Sequence, residues 1–142
     1  MESRHARKAS NNGGFSLLEL LVVVGIIGAL AAIGIPAYNG YISSTEFQTA
    51  ENNLRMIHAA QLEHRSDNGD FCDTTDCASI SLLNTNLFDG NQSLDTDSAY
   101  AFAITAADGG DSFTATATQS GSGDVCVSTI DETATLTPNS GC

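Results

Sequence analysis

Glu19 is the first residue whose type and setting promise chemistry. It lies inside Phe15 to Ile35, FSLLELLVVVGIIGALAAIGI, where the only other polar side chain is Ser16. Placing an acid in hydrocarbon costs on the order of 3 kcal/mol on insertion scales, so a carboxylate there is functional by default and calls for a partner. Two buried charges tolerate each other only as a pair, and breaking such a pair costs about 3–5 kcal/mol. The bland alternative is a Glu19 that sits protonated near the membrane interface.

The cysteines come next. Cys72, Cys77, Cys126 and Cys142 contain no C-x-x-C pair, which fits an oxidising compartment better than a metal site. Four cysteines allow three pairings, and the sequence alone does not choose among them. Proximity favours Cys72–Cys77 and Cys126–Cys142. A four-thiolate zinc site is the rival, disfavoured by compartment and spacing. His58 and His64, six apart, fall on different faces of a helix and do not suit one metal. The acids at 67, 70, 73 and 76, and again at 89, 95 and 97, do not follow the order of an EF-hand loop and read as solvated loop acids rather than calcium ligands. No nucleophile elbow, no H-E-x-x-H and no free cysteine beside a histidine is present, and the glycine–serine run at 120–124 lacks the lysine and helix of a phosphate loop. No enzyme, no cofactor and no metal is implied.

The chain has 142 residues and a formal charge of −12, with 17 acids against 5 bases. Arg4, Arg7 and Lys8 lie within the first fourteen residues, alongside Glu2. Without that segment sixteen acids face two bases, Arg55 and Arg65, a net −14. Such a surface argues against nucleic acid or anionic lipid held on a basic patch. Basic residues ahead of an apolar segment retain the N-terminus in the cytoplasm and send the rest across, in agreement with the cysteines.

These residues need elements to hold them. Residues 1–14 read as a targeting leader. Residues 15–36, at 1.5 Å per helical residue, span roughly the 30 Å of a bilayer. Gly25, Gly28, Ala29 and Ala32 stand at small-xxx-small spacings, which suit close helix packing as well as the ordinary composition of membrane helices. Gly34 and Pro36 predict a kink or a melted turn. From 37 to 66 Phe47, Ala50, Leu54 and Ile57 make one apolar stripe of the same helix, and Asp67-Asn68-Gly69-Asp70 ends it, with glycine as the cap. Residues 67–142 are expected to be a globular head. It opens with an irregular connection in which Ile80, Leu83, Leu87 and Phe88 form a short helical face. Tyr100–Thr105 and Phe113–Thr118 make a hairpin, followed by runs at Val125–Ile130 and Thr133–Thr137. The fold class is α+β: a long N-terminal helix packed on a small antiparallel sheet of three or four strands.

Gly14-Phe15-Ser16-Leu17-Leu18-Glu19-Leu20, the apolar run and Gly34-Ile35-Pro36-Ala37-Tyr38 together resemble the N-terminus of type IV pilins, closely from Gly14 to about Tyr41 and weakly beyond. The resemblance implies that a prepilin peptidase cuts between Gly14 and Phe15 and N-methylates Phe15. It implies that the Glu19 carboxylate neutralises the Phe15 ammonium of a neighbouring subunit, that Cys126–Cys142 closes the tail onto the sheet, and that the turn at Pro36 loosens on assembly. The function implied is that of a type IV pilus subunit, major or minor, polymerised through its N-terminal helix for adhesion, twitching motility or DNA uptake. Its partners would be other pilins, the peptidase and an inner-membrane assembly platform, with no direct nucleic acid. It would sit in the inner membrane before assembly and at the cell surface after it. A type II secretion pseudopilin is the near alternative. A secreted acidic β-rich module is the alternative of another class, made with a signal peptide cut after Ala29-Leu30-Ala31, and a membrane-tethered monomer is a third.

Overall fold

The computed structural model describes residues 14–106, 110–121, 125–139 and 141–142. Residues 1–13 of the expected leader, the expected turn residues Asp108 and Gly109, and Ser122-Gly123-Asp124 lie outside the described residues. The elements, in chain order, are α1 (Leu17–Asn68), α2 (Ile80–Asn86), β1 (Tyr100–Ala106), β2 (Phe113–Gln119), β3 (Val127–Asp131) and β4 (Leu136–Pro138). The chain divides into two compact units, residues 1–40 and 41–142.

In the first unit, residues 17–40 of α1 are helical and exposed throughout. Pro36 sits within the helix, and the helical assignment is unbroken across it. The proline cannot donate to the carbonyl four residues earlier, so the Ala32 oxygen lacks its usual partner without the turn being lost.

In the second unit the remainder of α1 packs on the sheet. Ala50, Leu54, Ile57 and Ala60 are buried, with Phe47 and Met56 partly so. The predicted stripe is therefore the packed face, because residues three and four apart share one side of a helix. The helix ends two residues later than the sequence suggests. Gly69 has φ 94° and its N–H donates to the Arg65 carbonyl at 2.8 Å, closing the last turn in the left-handed conformation that glycine adopts without strain.

The sheet is an antiparallel meander in the order β1-β2-β3-β4. Tyr100 pairs with Gln119 and Ala106 with Phe113; Thr114 pairs with Asp131 and Thr118 with Val127; Ile130 pairs with Leu136. With side chains alternating along each strand, Tyr100, Phe102, Ile104, Phe113, Ala115, Ala117, Ser128 and Ile130 turn inward and are buried. The opposite face carries Ala101, Ala103, Thr105, Thr114, Thr116, Thr118 and Thr129. The Ser128 hydroxyl has no hydrogen-bond partner among the described residues.

The fourth run is shorter than its β-branched composition predicts. Thr133 to Thr135 is a turn rather than a strand, because Asp131 Oδ1 accepts from Thr133 N–H at 2.9 Å, from the Thr133 hydroxyl at 2.6 Å and from Thr135 N–H at 3.1 Å. A short acid that hydrogen-bonds the following backbone competes directly with the ladder. Only Leu136–Pro138 extends the sheet. Likewise β3 starts at Val127, leaving Val125 and Cys126 outside it.

The connection between α1 and β1 is held by side-chain amides standing in for a backbone ladder. Gln61, fully buried, donates from Nε2 to the Cys72 carbonyl at 3.1 Å and accepts from Cys72 N–H at 2.8 Å. Asn84 grips Leu94 in the same way, at 2.8 and 2.9 Å. Helix α2 is capped by Ser79, whose hydroxyl accepts from Leu82 N–H, and it buries Leu83, with Ile80, Leu87 and Phe88 packed partly against the core. The loop also covers the open edge of β1: Ile104 N–H donates to the Cys77 carbonyl at 3.3 Å. An edge covered in this way offers less template for unwanted pairing.

Candidate functional site

The candidate site is the start of α1. Gly14, Phe15 and Ser16 precede the helix, and Phe15 is 82% exposed. Gly14 and Phe15 are exposed and lie just ahead of the first helical turn. Ser16 is the N-cap: its carbonyl accepts from Leu20 N–H at 3.2 Å. Its hydroxyl accepts from Glu19 N–H at 3.2 Å, while its own N–H donates to Glu19 Oε2 at 2.9 Å. This is a reciprocal capping box, S-x-x-E, in which two otherwise orphaned donors at the helix end are satisfied. The pattern is visible in Ser16-Leu17-Leu18-Glu19, yet reading Glu19 solely as an acid awaiting an outside cation overlooks it.

Beyond the box the helix offers a continuous apolar surface. An 18-residue stretch with mean hydropathy 2.6 has none of its residues buried. The glycines within it are informative. A β-carbon at Gly25, Gly28 or Gly34 would meet no atom within 4 Å. Glycine costs a helix about 1 kcal/mol relative to alanine, and no contact among the described residues offsets that. Small residues at such spacings let helices approach one another closely.

In the head, Cys72 is bonded to Cys77 and Cys126 to Cys142, with Cα separations of 6.0 and 4.5 Å, and no cysteine is free. Asn139 reinforces the tail closure: its side chain accepts from Val127 N–H at 3.1 Å and donates to the Val125 carbonyl at 3.1 Å. His58 and His64 do not converge. His58 Nε2 lies 3.2 Å from the Glu132 carbonyl and His64 Nδ1 lies 3.1 Å from that of Asp70. The loop acids are used locally. Asp73 accepts from Thr75 and Asp76 N–H groups, and Asp95 from Asp97 N–H. Among the described residues no three His, Cys, Asp or Glu side chains gather to hold a metal ion.

In the head, two groups among the described residues have displaced titration. The Thr133 hydroxyl, then the Thr135 N–H, hold the Asp131 carboxyl below its ordinary value. Burial, with a smaller contribution from Glu46, raises the Tyr100 phenol. An open cleft of about 510 Å³ is lined by His64, Asp70, Asp73, Thr74, Thr75 and Asp76. It brings together acids and hydroxyls, with no thiol or lysine among the described residues that could serve as a nucleophile. Arg65, the nearest cation in sequence, lies over the Phe71 ring at 4.8 Å.

Two family signatures match this chain. One, described as a prokaryotic N-terminal methylation motif, covers residues 9–35. The other, described as type IV minor pilin ComP, DNA uptake sequence receptor, covers residues 36–130, more than half of the chain. Among curated proteins, the chain is 43% identical over 56 residues to the fimbrial protein EcpC of Eikenella corrodens, covering 39% of this chain and 37% of that protein. It is 37% identical over 70 residues to the type IV major pilin PilA of Myxococcus xanthus, covering 49% and 32%. A type IV major fimbrial protein FimA of Dichelobacter nodosus is 64% identical over 33 residues, 23% of this chain and 21% of that one. The chain thus spans about a fifth to somewhat over a third of the length of these relatives. No solved structure matches it.

Proposed function

The chain belongs to the type IV pilin family, in the branch described as ComP minor pilins, and on that premise we propose that it is made as a prepilin, cut at Gly14–Phe15 and polymerised into a surface pilus. In this reading a prepilin peptidase releases residues 1–14 and methylates the Phe15 amine. An inner-membrane platform then draws the subunit out of the bilayer, in which residues 15–36 had held it. The observation that carries the reading is the wholly exposed apolar half of α1, whose glycines meet nothing among the described residues. At about 25 cal/mol per Å² such a surface is far too costly to leave in water, so lipid before assembly and other pilins after it account for it. The Glu19 carboxylate of one subunit pairs with the Phe15 ammonium of the next and fixes axial register, with the turn at Gly34 and Pro36 yielding as the subunits pack. The role is structural, and the acids and hydroxyls of the head cleft are assigned no chemistry.

The test is fibre yield. Glu19→Ala is expected to leave cleavage largely intact and to lower pili in sheared fractions at least tenfold. Undiminished fibres from that variant would remove the pairing from the account.

The matched branch is described as receptors for a DNA uptake sequence. We propose that this head is not itself the DNA-contacting surface. After cleavage its permanent cations are Arg55, which donates to Asn52, and Arg65, which lies over Phe71. Two cations release few counterions from a duplex. Duplex binding to the processed protein is expected to be weaker than about 10⁻⁴ M at physiological salt, the weak end of non-specific binding. Tighter, sequence-selective retention in a gel-shift titration would assign reception to this subunit.

A further inference from the structure

We propose that Ser16 is the positioning residue for Glu19, so that the capping box, and not the acid alone, presents the carboxylate for assembly. The inference rests on the pilus reading above. The Ser16 N–H to Glu19 Oε2 bond of 2.9 Å and the Glu19 N–H to Ser16 Oγ bond of 3.2 Å fold the glutamate back toward the N-terminus of its own helix.

Three consequences follow from that geometry. Cleavage breaks the Gly14–Phe15 bond and leaves the Phe15–Ser16 peptide untouched, so the Ser16 N–H survives processing and the box persists in the mature chain. The Ser16 N–H occupies one acceptor site on Oε2, and a carboxylate offers about four such sites on its two oxygens, so the same group can accept a neighbour's ammonium without releasing Ser16. In lipid, before any neighbour arrives, the box gives the acid a partner within its own chain, where an unsatisfied polar group is most costly. Ser16 therefore has two duties: it shields Glu19 while the subunit waits in the membrane, and it fixes the side-chain direction that the incoming amine must meet.

The experiment compares Ser16→Thr, Ser16→Val and Ser16→Ala in the full chain, measuring sheared fibre yield against the amount of cleaved, membrane-held subunit. Threonine and valine have nearly the same shape and differ in the hydroxyl that accepts from Glu19 N–H. The expected result is wild-type yield for threonine and a fall of about fivefold to tenfold for valine and alanine, the equilibrium equivalent of one lost N-cap. Processing should be unchanged in all three. Full fibre yield from valine, or a loss shared by threonine and valine alike, would overturn the positioning role. A defect confined to cleavage would do the same. Absence of fibres from the unsubstituted chain would instead remove the pilus reading, and this inference with it.

Discussion

Asp131 decides where the sheet stops. Its carboxylate gathers two backbone N–H groups and a hydroxyl from Thr133 and Thr135, and those bonds favour the ionised form, which is why its titration is displaced downward. A depressed folded value means that the contribution to stability is present above the unfolded value of about 3.9 and is lost as pH falls through the folded one. Asp131→Asn is thus expected to lower the melting temperature at pH 7, with the gap to the parent chain closing below about pH 4. Circular dichroism melts of the two proteins across that window check it, and a gap that persists in acid would contradict the electrostatic reading. The same residue explains why the threonines after it, which read as a strand, form a turn instead. Their β-propensity is real, but the Asp131 side chain, two positions before Thr133 and four before Thr135, captures their N–H groups. Glu19 teaches the reverse lesson, since its capping box is legible in four consecutive letters. Gln61 and Asn84 were illegible, because only the packed fold shows that these amides point inward at backbone eleven and ten residues further along the chain rather than into water.

At the scale of elements, period is what the sequence conveys best. Spacings of three and four identify the stripe Ala50, Leu54, Ile57, and alternation identifies the faces of β1 and β2, because each period places side chains on one side of its element. The second half of α1 and the meander follow from those patterns. Tail closure does not follow from period. It depends on Cys126–Cys142 together with Asn139 bridging Val125 and Val127. Closing a loop of this size restricts the unfolded chain by about 3 kcal/mol. Replacing both cysteines with serine is expected to reduce stability by about that amount, read as a lower urea midpoint with β4 the first element to lose amide protection. An unchanged midpoint would show that the asparagine bridge alone secures the tail.

At the scale of the molecule, two surfaces oppose each other in character. Residues 17–35 expose hydrocarbon broken by a single acid, while the head exposes carboxylates that repel like-charged copies and keep it in water. An apolar rod that must be hidden and an acidic head that must not be suit the subunit proposed above, held first by lipid and then by other rods. Everything in that account depends on the rod surviving maturation with Phe15 at its tip. The most direct measurement is the intact mass of the chain recovered from sheared surface fibres. The account predicts a polypeptide beginning at N-methylated Phe15. A chain beginning at Ala32, freed from its apolar segment by conventional signal cleavage, would contradict it.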